Sequence, residues 1–573
     1  MWLSRPLWYV LPAVILGCAS PVGKQTGAED RHGGIFNYNE SNAVGSLFPP
    51  QVATVAEQRV ASQIYEGLVA IDPVTLGVVP ALAESWELDT LAATWTFHLR
   101  SNVHFHDDTA FPNGTGREVT ATDVVQCFMR ICSDPAAADA YWLLQGNVQG
   151  ADAYHEGTTT EVSGLEAVDE HTVRIKLTGP MPNFLYNLAN AGCWIWPQEL
   201  LTAYGTELDR HAIGTGPFRP VELGGGEVIV LDRNARYWGK DGQGQALPYL
   251  DGIRITLVPD KQREVAEFLR GHLSMVSELS METLHLLTDS VDPGTGLRRF
   301  RISTEPTLSV QYYGFNVSKP PFNDVRVRQA FALAINKTLL VDSVLNGLAV
   351  PAEHGLVPPG FSVYPYGKVP TVPYAPDSAR KLLAQAGYPG GRGFPRIQLQ
   401  VNTGGFGYRE TANFVQESLE HDLGVWITIS TVPDREYFDR IAGGAALFWR
   451  KGWVADLPDP ENFLVLLDGR NAIADTSLPS PLNSTRFADP RVDILMRLAA
   501  QEKVETKRYD QLAGAEALAM RAMPLIPLYH EQSMLLTLPD VMGLEANGME
   551  LLDLKRAWFS RDADQRPEAV ARP

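Results

Sequence analysis

The sequence predicts an α/β fold divided into two or three lobes, on three observations. The chain has 573 residues, too many for one hydrophobic core. Its composition, 45% hydrophobic and 20% charged, is that of an ordinary globular protein. Strand and helix patterns alternate along its length without an internal repeat.

The first element is a targeting signal, outside the fold. Arg5 precedes an apolar stretch from Leu7 to Gly17, too short to span a bilayer. The stretch ends Ile15-Leu16-Gly17-Cys18, followed by Ala19-Ser20-Pro21. This resembles a bacterial lipoprotein signal, with a small residue before the cysteine, although Leu16 is bulkier than usual there. The alternative is an ordinary signal peptide with an incidental cysteine. Cys18 is the expected lipid anchor, residues 1–17 the signal peptide, and residues 18–32 a flexible tether. The body is expected to be exported, periplasmic or at the cell surface, and held at a membrane.

The elements of the body follow from periodicity. Trp95, Phe97 and Leu99 alternate with Thr96, His98 and Arg100, a half-buried strand. A helix is expected over 121–131. Val173, Ile175 and Leu177 repeat the alternation, as do Val228 and Val230, then Ile253, Ile255 and Leu257. Asn323 or Asp324 can cap a helix with Val327, Phe331, Ala334 and Ile335 on one face. A further helix starts near Asp377, carries Leu382, Leu383 and Ala386, and stops at Gly387 with Pro389 beyond. The glycine runs 224–226 and 390–393 read as turns, because neither lies between a strand and a capped helix as a phosphate loop does.

Composition also excludes function classes. Lys and Arg number 48 against 67 Asp and Glu, a net charge of −19. No basic run exists, which argues against nucleic acid. Cys127, Cys132 and Cys193 are an odd set. One bridge to Cys193 or three buried thiols are both open, and no spacing suits zinc. His104 and His106 share a strand face before Asp107-Asp108, an arrangement more often surface decoration than a metal site. There is no nucleophile elbow and no zinc-protease motif, and His530-Glu531 lacks a second histidine. No enzyme, cofactor or metal is expected.

The most informative segment is Trp453-Val454-Ala455-Asp456-Leu457-Pro458-Asp459-Pro460-Glu461-Asn462-Phe463. Asp459 precedes a proline, with Asn462 three residues on, and reads as a helix N-cap with an imperfect capping box. Asp456 has no such duty. A loop carboxylate beside an indole suits a cation, though the residues alone equally allow a solvated aspartate.

An ordered series of segments is similar to the bacterial extracellular solute-binding proteins of the oligopeptide- and dipeptide-binding type. It runs through Ile64-Tyr65-Glu66-Gly67-Leu68-Val69, Val79-Pro80-Ala81-Leu82-Ala83-Glu84-Ser85-Trp86, and Trp95 to Arg100. Gly214-Thr215-Gly216-Pro217-Phe218, Arg233-Asn234-Ala235-Arg236-Tyr237-Trp238 and Pro321-Phe322-Asn323-Asp324-Val325-Arg326 continue it. The Trp453 segment and Ile526-Pro527-Leu528-Tyr529-His530 complete it.

The resemblance implies a two-lobed periplasmic-binding-protein fold with a hinge and an extra subdomain. Lobe I would take residues 33–65, 195–300 and 523–573, the subdomain 66–194 and lobe II 301–522. It implies a non-enzymatic, monomeric substrate-binding component of an ATP-driven peptide importer, with a permease and an ATPase as partners. The same fold also binds sugars, nickel chelates and other solutes, and a sensor could replace the permease as partner. In peptide-binding members the aspartate matching Asp456 pairs with the peptide's α-ammonium. Trp453 matches an aromatic lining the side-chain pockets, and Arg450 a basic residue that receives a peptide carboxylate. Glu66 matches a residue facing the cleft, with backbone neighbours that pair with extended peptide, and Tyr141 one on the subdomain wall. Two departures stand out. Dipeptide-specific members carry an arginine in the region matching 404–408, which here is Gly-Gly-Phe-Gly-Tyr. Leu457 replaces a tyrosine often found after the aspartate. Longer or variable peptides are therefore expected.

Overall fold

The structure is a computed structural model that describes residues 31–133, 140–205, 207–208, 210–223, 227–279, 300–403, 407–475 and 478–560. Cys18, with the targeting segment and most of the tether, lies outside the described residues, as do the glycines at 224–226 and residues 404–406.

Three sheets organise the chain. In the first, Ile35–Asn39 runs parallel to Gly252–Thr256, and Val228–Arg233 and Phe218–Glu222 follow antiparallel. In the second, Ala83–Asp89, Thr94–Leu99, Thr172–Lys176 and Leu165–Asp169 are antiparallel neighbours, with the helix Ala121–Ser133 packed on them. One apolar cluster joins the two and includes Phe36, Phe97, Phe128, Trp196 and Ile255. Trp95, Phe97 and Leu99 are buried, as their alternation requires. In Val228–Arg233 the expected phase is off by one. Ile229 and Leu231 are the buried residues, while Val228 and Val230 are half-buried. Four consecutive apolar residues carry no period, so the phase comes from the core alone.

The third sheet is built on the long strand Leu525–Thr537. Its first half pairs with Ser309–Phe315, which in turn meets Phe448–Val454, Ile397–Asn402 and Ile427–Val432. Its second half pairs with Arg301–Pro306 and Met275–Ser277. Ile526 and Leu528 belong to the core of the second lobe, and Leu535 to that of the first. Two extended paths, through residues 305–309 and 529–533, thus run side by side between the cores. Two strands crossing between separately packed bodies form a hinge, because few side chains must repack when the bodies rotate.

Second-lobe helices follow their sequence signals. Asp324 caps Val325–Leu333, its carboxylate accepting from Arg326 N at 2.9 Å. Pro376–Gln385 ends before Gly387, whose φ of +100° only glycine adopts without strain. The three described cysteines are free and buried, with the Cys127 thiol donating to Trp196 O at 3.2 Å.

The helix Glu505–Ala522 carries a fully buried carboxylate, Glu516. It accepts from Leu356 N at 2.6 Å, Val357 N at 3.0 Å and Tyr364 Oη at 2.5 Å. Gly355 makes room, since a Cβ there would lie 2.4 Å from Glu516 Oε1. Burial pushes the Glu516 pKa from 4.5 up to about 7. A pKa raised in the folded state contributes stability that is complete below about 4.5 and lost as pH rises through about 7. Urea unfolding is therefore expected to show wild-type stability falling across that window. Glu516→Gln should remove part of the slope, and Glu40, raised to about 7 by burial, should retain its own part.

Candidate functional site: the cleft at the crossing strands

A cleft of 680 Å³ opens where the two paths cross, a volume suited to a small peptide or similar ligand. Thr307, Leu308 and Ser309 line it from one path, and Tyr529, Glu531, Gln532 and Met534 from the other. The first lobe adds Val55 and Gln58 from the helix Val55–Ala61, with Trp142, Glu278 and Glu550. The second lobe adds Leu345, Leu348 and the run Val454, Ala455 and Asp456.

The wall is anionic. Asp456, Glu278, Glu531 and Glu550 line the cleft, and among the described residues no Lys, Arg or His does. Arg59, buried on the far side of its helix, ion-pairs with Glu278 at 2.8 Å, Glu40 at 3.5 Å and Glu550 at 3.7 Å. It neutralises only part of this charge.

Asp456 sits in a braced loop. Asn462 Oδ1 accepts from Trp453 Nε1 at 3.0 Å and from Asp456 N at 3.2 Å, so this amide fixes the turn instead of closing a capping box. The residue remains accessible to solvent, but nearby protein strips water from its carboxyl group. That burial raises its pKa, and hydrogen bonding by Asn462 offsets it only in part. Among the described residues no basic side chain pairs with it.

Asp459 makes the capping contact expected of it and, beyond that expectation, a buried ion pair. Its carboxylate is 2% exposed and is gripped by Arg508, from Nη1 at 2.6 Å and Nη2 at 2.8 Å. Oδ1 also accepts from Glu461 N at 2.8 Å, the contact a capping aspartate makes two residues on, with Pro460 between them already helical. Residue 508 is 49 positions away, and no local pattern announces it.

A cleft between two lobes, crossed by paired strands, is the architecture of extracellular binding proteins. The sequence pattern described as "Bacterial extracellular solute-binding proteins, family 5 Middle" matches residues 77–475. The chain belongs to this solute-binding family. It is 27% identical over 522 residues to a probable ABC transporter periplasmic-binding protein, SapA, of Escherichia coli, covering 89% of each chain. It is 31% identical over 432 residues to the dipeptide-binding protein of the same organism, covering 73% of this chain and 76% of that one. The solved structure of HbpA2 from Haemophilus parasuis matches 92% of this chain and 100% of its own, with a TM-score of 0.79 at 25% identity.

Within this family frame, the structure separates the residues that the resemblance singled out. Asp456 lines the cleft. Strand alternation places Arg450, Gly452 and Val454 on one face and Trp453 on the other, so Val454 reaches the cleft while Trp453 packs into the second lobe. Arg450 is 7% exposed and fully engaged. It donates to Gln311 Oε1 and, at 3.2 Å, to Asn402 Oδ1, and its guanidinium stacks 3.2 Å from the Tyr408 ring centroid. Glu66 faces a separate 200 Å³ cavity behind the helix Val55–Ala61. Burial raises its pKa, and Thr215, Tyr237 and Trp238 donate to it at 2.8, 2.8 and 3.0 Å. Its backbone carbonyl is taken by Ile195 N. Tyr141 turns into the first core, donating to Asp152 at 2.6 Å and stacking on His155, while the adjacent Trp142, 45% exposed, lines the cleft. His106 is buried against Gly216 O, and no group of three metal ligands occurs among the described residues.

The sequence did not single out Trp142, Glu278, Glu531 or Glu550. Only Glu531 gave a signal, its place beside His530 in the Ile526–His530 segment. Beside a histidine, that carboxylate reads as a fragment of a zinc motif and not as a free charge.

Proposed function

We propose that this protein captures peptides in the interlobe cleft and delivers them intact to an ATP-driven importer. Family membership supports solute capture, and the names of the relatives support peptide as the solute. The observation that carries the reading is Asp456: a partly desolvated carboxylate on the wall of a 680 Å³ cleft, with no cationic side chain beside it among the described residues. An α-ammonium satisfies such a group with both a compensating charge and hydrogen bonds, whereas a neutral sugar's hydroxyls supply hydrogen bonds alone. The lobes are assigned to residues 33–65, 195–300 and 530–573 with a subdomain over 66–194, and to 301–529; the expected boundary at 523 is moved because Met523, Ile526, Leu528 and Tyr529 pack in the second lobe's core. A monomer tethered by lipid on Cys18 would present its closed, filled form to a permease and ATPase. Cys18→Ala is expected to release the protein from washed membranes.

Mass spectrometry of ligand released from the purified protein tests the reading. Peptides with free N-termini are expected. A bound sugar or chelate would overturn the reading, and so would conversion of added peptide into fragments.

A further inference from the structure

Glu531 stands in a built setting. Gln311, 4% exposed, bridges it to Arg450. Arginine has only donors, so the Arg450 contact holds the Gln311 oxygen and turns its Nε2 toward Glu531 Oε1, 2.9 Å away. Gly452 lies opposite Gln311 in the ladder, and a Cβ there would come within 2.7 Å of the same amide oxygen. Ser309, 1% exposed, donates its hydroxyl to Oε2 at 3.4 Å and receives Glu531 N at 3.3 Å. A glycine, a buried amide and a buried arginine are thus spent on aiming one carboxylate at the cleft. That carboxylate has no Lys, Arg or His ion partner among the described residues, and Glu550 and Glu278 share its cavity.

We infer that Glu531, positioned by the Arg450–Gln311 relay, is a second cation-binding group, and that the preferred ligands carry a basic side chain besides their α-ammonium. The inference rests on the peptide-capture reading. Arg450 then acts as a positioning residue. Its charge is directed at an amide and an aromatic ring, so the cleft itself remains uniformly anionic. Lysine or arginine side chains gain a charge-assisted bond there, and acidic peptides meet Asp456 and Glu531 beside a Glu278 and a Glu550 that Arg59 only partly neutralises.

The test compares tri- to pentapeptides of alanine carrying one lysine with the same peptides carrying norleucine, which keeps the alkyl chain and lacks the charge. Calorimetry on the wild type is expected to show lysine peptides binding about tenfold to a hundredfold tighter at the best position. Glu531→Gln should shrink that ratio at least about tenfold, and Gln311→Met should shrink it without removing a charge. Equal affinities in the wild type would overturn the inference while leaving peptide capture standing. So would a ratio untouched by Glu531→Gln. Failure of both peptide sets to bind would instead remove the peptide reading, and this inference with it. The wild-type comparison stands even where a variant folds poorly.

Discussion

Asp456→Asn is expected to weaken peptide binding by about 2–5 kcal/mol, as truncating one partner of a buried charged pair does. The substitution nearly keeps the shape and removes the charge. Closure of the two lobes over ligand excludes water, which strengthens a charge-assisted bond and equally raises the cost of an unpaired ammonium. A solvated loop position would lose no more than about 0.5 kcal/mol. N-acetylating the peptide should damage wild-type binding to a similar extent and do little further harm to the variant, because both changes remove one pair. Calorimetry on the four combinations decides it, and additive losses would mean that the two groups do not meet. The pH dependence supplies a second check. Burial raises the pKa of free Asp456, so wild-type affinity should fall as pH is lowered through a range above that of an ordinary aspartate. The variant should lack that dependence.

The fold was legible wherever one period dominates. The alternation of Trp95, Phe97 and Leu99, the Asp324 cap and the Gly387 stop each match an element of the structure. At Val228–Arg233 an unbroken apolar run withheld the phase. The site was legible only in part. The local pattern left Asp456 equally open to a ligand role and to solvent, and only the family resemblance favoured the former; the structure places the residue on the cleft wall. Trp453 and Val454 show the limit, since a segment match cannot say which of two neighbours faces the ligand, whereas strand pleat does. Tyr141 and Trp142 repeat the lesson on the first lobe. The Arg450–Gln311–Glu531 relay was invisible because it joins residues 139 and 220 positions apart. Only the register of three strands brings them together.

Non-local partnership also decides what holds the ligand loop in place. Asp459→Ala is expected to destabilise the protein by about 3–5 kcal/mol, the cost of leaving a buried charge without its partner. Arg508 is about as buried as Asp459, with side chains 5% and 3% exposed. Once Asp459 is gone, Glu461, at 2.6 Å, is its one remaining ion partner among the described residues. The carboxylate also receives Glu461 N, so the start of the short helix Glu461–Leu464 loses a contact as well. Arg508→Met should be comparably damaging, because it strands Asp459. The double variant Asp459→Ala/Arg508→Met should recover much of the loss, since two apolar side chains replace two desolvated charges. Glu461→Gln should cost less, its side chain being 19% exposed and its carboxyl already biased toward the neutral form by burial. Urea unfolding of the four variants measures this directly, and single losses that simply add in the double variant would show that the pair is not coupled. Because Asp459 lies three residues beyond Asp456, the folded fraction of Asp459→Ala should also bind peptide more weakly. The proposed contact of Asp456 with an ammonium requires that the loop carrying it stay pinned to the helix Glu505–Ala522.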